Sequence, residues 1–99
     1  MNNGSFEVRT SSGFDRSFKK LNNWCNRQLI LQWITRNLSN SSSEHIYMLA
    51  DQLKTGTGMD YAFKVGVYHL ISRIEYNKII LLECVDHTIS KEVGLYEQY

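Results

Sequence analysis

Between Asp60 and His87 the apolar residues come in short runs separated by turn residues. Val67 to Ile74 is crowded with β-branched and aromatic side chains, and Ile79 to Val85 is a nearly continuous apolar run. Gly66 and Tyr76-Asn77 interrupt the series. Runs of this length, bounded in this way, predict strands rather than helices. Asn77 adopts positive φ at little cost, so Tyr76-Asn77 is read as a hairpin turn. The stretch is therefore three strands of one antiparallel sheet, with the middle strand buried.

The residues upstream supply an edge strand and a helical cover. Ser5 to Thr10 alternates, with Phe6 and Val8 on one side and Glu7 and Arg9 on the other, the period of a half-buried strand. Ser12 followed three residues later by Asp15 is a capping-box-like helix start. Phe14, Phe18, Leu21 and Cys25 share one helical face until Asn22-Asn23 interrupts. A second stripe follows at Leu29, Ile30, Trp33, Ile34 and Leu38, so the two segments predict a helical hairpin packed on the sheet. Ser39 to Ser43 is a polar connector. Ser41 with Glu44 is a second capping match, and Ile46, Leu49, Ala50 and Leu53 have the spacing of a short third helix. Thr55-Gly56-Thr57-Gly58 reads as a flexible loop that lacks the lysine and spacing of a P-loop. Thr88 to Tyr99 is a polar tail, either the end of a strand or a short helix.

At 99 residues, 42% hydrophobic and 21% charged, residues 1–99 are expected to form a single domain with a core of its own. No apolar run is long enough to span a bilayer, and Met-Asn-Asn-Gly-Ser has no signal-peptide pattern, so no membrane association and a cytoplasmic location are expected. Cys25 and Cys84 lack metal-ligand spacing and read as two reduced core thiols. Cys84, Asp86 and His87 are near one another but offer no usual zinc spacing, and nothing beside either cysteine predicts a lowered thiol pKa. The net charge of +1 hides an asymmetry. Up to Ser43 there are six basic side chains against two acidic ones; from Glu44 onward there are five against eight. A basic half attracts phosphate or an acidic partner.

Four stretches in order resemble the RelE family of toxin–antitoxin toxins. Phe6 to Leu21 (Phe-Glu-Val-Arg-Thr-Ser-Ser-Gly-Phe-Asp-Arg-Ser-Phe-Lys-Lys-Leu) is similar to that family's opening strand and its Phe-Asp-Lys-Ser-Phe-Lys-Lys-Leu helix. Leu31 to Asn40 resembles its second helix. Tyr61 to Ile74 is similar to a Trp-Arg-Tyr-Arg-Val-Gly-Asp-Tyr-Arg-Leu-Ile stretch, and Ile79 to His87 resembles the last strand with its Gly-His-Arg ending. The resemblance implies an α+β fold: an N-terminal strand, an α-helical hairpin, then a three-stranded antiparallel meander completing a twisted four-stranded sheet. It implies a toxin that cleaves mRNA on the ribosome and so inhibits translation, with no metal or other cofactor. Its partners would be a cognate antitoxin, in a possible hetero-oligomer, and mRNA with the small ribosomal subunit.

Such cleavage has definite requirements. The 2′-hydroxyl loses a proton as it attacks the adjacent phosphate, the phosphate gains negative charge, and the leaving 5′-oxygen gains a proton. Positioned acids and bases contribute about 10²–10⁴-fold, and oriented cations stabilise the charge. By resemblance, the catalytic candidates are His69, His87, Lys64 and Tyr96, and the phosphate-binding candidates are Lys54, Lys64, Arg73 and Lys91. Histidine carries protons near neutral pH. The sequence departs from the family at several of these places. The family arginines of the third stretch fall on Ala62, Lys64 and His69, the arginine of Gly-His-Arg falls on Thr88, and the family tyrosine after the last strand falls on Gly94, with Tyr96 two residues later. The missing arginines favour a second reading, a degenerate RelE scaffold that works by binding a protein, either an antitoxin-like partner or a gyrase-type target.

Overall fold

The structure, a computed structural model, describes residues 6–21, 23–39, 41–54 and 59–86, without the side chains of residues 54 and 59. The elements are β1 (Glu7–Thr10), α1 (Ser12–Lys19), α2 (Trp24–Asn37), α3 (Ser43–Leu49), β2 (Ala50–Lys54), β3 (Met59–Val65), β4 (Tyr68–Glu75) and β5 (Lys78–Asp86). The strands form one sheet in the order β1-β5-β4-β3-β2. β2 to β5 pair antiparallel with their neighbours, and β1 lies parallel to β5. The fold class is α+β, and the expected meander is β3-β4-β5.

Each helix begins where a side chain satisfies an unpaired backbone N–H of the first turn. Ser11 Oγ accepts from the Phe14 N–H (3.1 Å), Asn23 Oδ1 from Asn26 (3.2 Å) and Ser42 Oγ from His45 (3.2 Å). Two of these caps sit one residue from the positions that the capping-box matches predicted, before Ser12 and after Ser41. Ser41 instead donates its hydroxyl to the Asn37 carbonyl at 2.7 Å, closing the end of α2.

The helices cover one face of the sheet. Ile30, Ile34, Leu38 and Ile46 meet Phe63, Leu70, Ile79 and Leu81 in the main core. Seven of these eight are fully buried, each contributing about 1.5–3 kcal/mol of apolar burial. Phe14 stacks on Phe18 with ring centroids 5.5 Å apart, and Trp33 meets Phe63 at 5.9 Å.

Among the described residues five strands stand where four were expected. Ala50 and Leu53 continue the helical spacing of α3, but the helix ends when the Ala50 N–H bonds to the Ile46 carbonyl and the Ala50 backbone turns extended (φ −87°, ψ 131°). Ala50 to Lys54 pair with the edge of β3, and that backbone pairing outweighs a weak local preference. Cys25 was expected in the core on the α1 stripe. Because α1 stops at Lys19, Cys25 belongs to α2 and is exposed, while Cys84 is buried. Leu29 of the α2 stripe is half exposed. The turn at residues 76 and 77 is present, but Tyr76 carries the positive φ (57°), with Gly66 doing so (61°) in the preceding hairpin.

β5 contains one extra residue. Ile71 pairs with Glu83 and Ser72 with Leu81, which leaves Leu82 unmatched in a bulge. α1 is fastened at this point. Ser11 Oγ donates to the Leu82 carbonyl (3.2 Å) and Ser17 Oγ accepts from the Cys84 N–H (2.9 Å). Gly13 lies against the same carbonyl, so close that a Cβ there would sit 2.9 Å from it.

Candidate functional site on the far face of the sheet

Strand alternation sends every second side chain to the face turned away from the helices. Phe63 and Val65 enter the main core, so Ala62 and Lys64 point the other way. Tyr68 and Leu70 do the same for His69 and Ile71. The two-residue turn at Gly66-Val67 fixes the register, making Lys64 the direct partner of His69 and placing Val85 on the other side of His69. Directly opposed side chains have Cβ atoms about 4.5–5.5 Å apart. Lys64 and His69 are thus brought together by backbone pairing alone. Lys64 is exposed. His69 is 3% exposed and engaged by neighbouring groups.

Arg73 lies four residues further along β4, about 13 Å from His69 at ~3.3 Å per residue. Its guanidinium Nε donates to Asp60 Oδ1 at 3.3 Å. The Arg73 side chain is 46% exposed and that of Asp60 13%. Asp60 was not singled out in the sequence, although the turn at Gly66-Val67 carries the signal: the two residues are equidistant from it. Leu53, Ala62 and Ile71 form a small buried apolar cluster between the Lys64–His69 and Asp60–Arg73 pairs, with Val85 packed against it.

The charge of this face is close to balanced. By register and alternation it carries the basic side chains Arg9, Lys64, Arg73 and Lys78 and the acidic Glu7, Asp51, Asp60, Glu75 and Glu83. Arg9 is bonded to Glu7 at 2.7 Å, and Glu75 stands opposite Lys78. Lys64 is the exposed cation beside His69.

The other predicted site residues fall elsewhere. Lys54 ends β2 opposite Met59, and its side chain lies outside the described residues. His87, Lys91 and Tyr96 also lie outside them. β5 ends at Asp86, the partner of Tyr68 and one pair from His69. Burial, with help from the neighbouring carboxylates of Asp86 and Glu83, pushes the Cys84 thiol up from 9.0 to about 11. It stays protonated at neutral pH and is no nucleophile. Among the described residues, no group of three or more His, Cys, Asp or Glu side chains is placed to hold a metal ion, and no helix is long and apolar enough to cross a membrane.

A helical layer on one face of a β1-β5-β4-β3-β2 sheet, with a Lys–His pair on the other face, defines an α+β protein with a RelE-like fold. No protein-family model matches the chain, and no curated protein sequence does. Among solved structures, it is similar to a chain of the RelBE2 toxin–antitoxin complex from Mycobacterium tuberculosis. The TM-score is 0.70 and the identity 17%, over 83% of this chain and 98% of that one.

Proposed function

We propose that the chain is the toxin of a toxin–antitoxin pair and acts as a RelE-type endoribonuclease on ribosome-bound mRNA. The observation that carries this reading is the likeness of almost the whole fold to a chain of a toxin–antitoxin complex. The pairing of His69 with the exposed Lys64 adds a chemical reason. In the reaction the 2′-oxygen attacks the adjacent phosphorus as its proton is taken up, the P–O5′ bond breaks, and the 5′-oxygen receives a proton. His69 takes or gives one of these protons, with His87 or Tyr96 at the other oxygen. Lys64 meets the phosphate, while Arg73 with Lys54 and Lys91 binds the flanking backbone. The side chains supply all of this chemistry without a metal. An antitoxin would bind the toxin and hold it inactive in the cytoplasm.

The balanced far face favours a second reading. Arg73 is held by Asp60 and Arg9 by Glu7, so few cations are left for phosphate, and the fold would then serve to bind a protein, as an antitoxin-like or gyrase-type target.

Induced expression with primer extension on cellular mRNA separates the two. The expected result is growth arrest with new mRNA 5′-ends that disappear in a His69→Ala, His87→Ala variant. Arrest without new ends supports the second reading. No arrest from a soluble, folded protein overturns the toxin assignment.

A further inference from the structure

Among the described residues, the sheet's far face and the helices carry similar numbers of basic side chains but very different numbers of acids. The far face of the sheet holds four against five acids. The three helices hold Arg16, Lys19, Arg27 and Arg36 against Asp15 and Glu44, and Lys20 caps α1. Arg16, Lys19 and Lys20 are exposed on the outer side of α1, whose inner side is fixed to β5. Spaced i, i+3 and i+4, they form one patch, and none of the three is ion-paired with another described residue. Trp24, the first residue of α2, follows four residues after Lys20 and is 64% exposed.

We infer that this end of the helical hairpin is a second RNA-binding surface, in which Arg16, Lys19 and Lys20 neutralise backbone phosphates and Trp24 stacks on an unpaired base. That the polyanion is RNA rests on the ribonuclease reading above; the surface itself rests on the charges and the tryptophan. A cationic track with an exposed aromatic is the usual equipment for single-stranded nucleic acid. A protein partner fits less well, because protein interfaces are built around an apolar centre, whereas α1 exposes no large apolar residue and the three cations are accompanied by the single aromatic ring of Trp24. The consequence is a division of labour: the far face supplies the reactive groups, and the hairpin supplies most of the salt-dependent affinity.

The test is fluorescence anisotropy of the full chain with a labelled, 2′-O-methylated RNA of about 12 nucleotides, which cannot be cleaved through its 2′-oxygen, titrated at several salt concentrations. The variant Arg16→Gln, Lys19→Gln, Lys20→Gln removes three phosphate contacts at exposed positions. At a slope of about 0.7 per contact, it should flatten the dependence of log affinity on log salt by about 2, which is a loss of about 100-fold at 0.1 M salt. Trp24→Ala should lower affinity about tenfold and leave the slope unchanged. Arg16→Lys, Lys19→Arg, Lys20→Arg keeps the charges and should bind like the parent chain. The inference is overturned if the triple Gln variant, shown to be folded by circular dichroism, keeps the parent slope. It is also overturned if Lys64→Gln, Arg73→Gln causes the larger loss, or if polyglutamate competes at a lower charge concentration than unlabelled RNA, which would mark an acidic protein surface. Because the probe is uncleavable, these outcomes are independent of whether the chain cuts mRNA or arrests growth.

Discussion

Replacing Gly13 by alanine should destabilise this protein, against the ordinary trend for a helix. Alanine is the best helix former and restricts the unfolded chain, so Gly→Ala in a helix normally adds about 0.5–1 kcal/mol of stability. At Gly13 the new Cβ would lie 2.9 Å from the Leu82 carbonyl oxygen, closer than real Cβ contacts come, whereas ordinary contact begins at 3.4 Å. The gap of half an ångström must come from moving α1 or β5, because the obstacle is backbone and not a flexible side chain. Moving either one strains the Ser11–Leu82 and Ser17–Cys84 hydrogen bonds that fasten the helix to the bulge. Overpacking of this kind costs about 1–3 kcal/mol. Set against the helix gain, the net loss should be about 1–2 kcal/mol, or a fall in Tm of roughly 4–15 °C for a domain of this size. Urea denaturation reads it directly, as a lower midpoint at constant slope. Ser12→Ala, exposed in the same turn, is the control and should stay within about 0.5 kcal/mol. A Gly13→Ala protein as stable as the parent or more so would show that α1 does not sit tightly on the β5 bulge.

Three further outcomes follow from the same contacts. Tyr76 holds φ at 57° while 98% exposed, so Tyr76→Gly should stabilise by about 0.5–1 kcal/mol; a lower urea midpoint would show that the ring makes an unseen contribution. Ile30 is fully buried under the sheet, and Ile30→Ala should cost about 2–5 kcal/mol in the same experiment, with a loss under 1 kcal/mol refuting the packing. The Cys84 thiol is about 11 when folded and 9.0 in the reference state. The unfolded chain therefore releases this proton first, and the contribution present below pH 9 is lost as pH rises towards 11, by at most about 3 kcal/mol. Comparing the parent with Cys84→Ala at pH 7.5 and 10.5 isolates it, because only the parent should lose this increment on going to the higher pH.

The parts of the fold that could be read in the sequence are those governed by short-range rules. The Gly66 and Tyr76-Asn77 turns divide β3, β4 and β5, and their positions pair Lys64 with His69 and Asp60 with Arg73 by counting outward. The bulge at Leu82 shifts the β4–β5 register by one residue, and only the docking of α1 gives it a reason. β2 was hidden because Ala50 and Leu53 continue a helical spacing, so its strand state depends on the partner strand that follows it, with Ala50 opposite Phe63 and Leu53 opposite Asp60. Cys25 was misplaced because the α1 stripe was carried across a break that the Asn23 cap enforces. At the candidate site, the individual cations were visible in the sequence but their neutralisation was not. Asp60 meets Arg73 only across the β3–β4 pairing, whereas Glu7 and Arg9 already share one side of β1, two residues apart.

The parallel pairing of β1 with β5 sets an order of events in folding. Residue 7 has its partner at residue 78, and α1 rests on residues 82–84. β2, β3 and β4 join through nearby segments and can pair early. β1 and α1 find their main packing partner among the described residues only when β5 exists. Contacts spanning seventy positions carry a large loop-closure cost and form slowly. During synthesis β1 and α1 therefore wait, with Phe6, Phe14 and Phe18 incompletely covered, for a strand that emerges some seventy residues later.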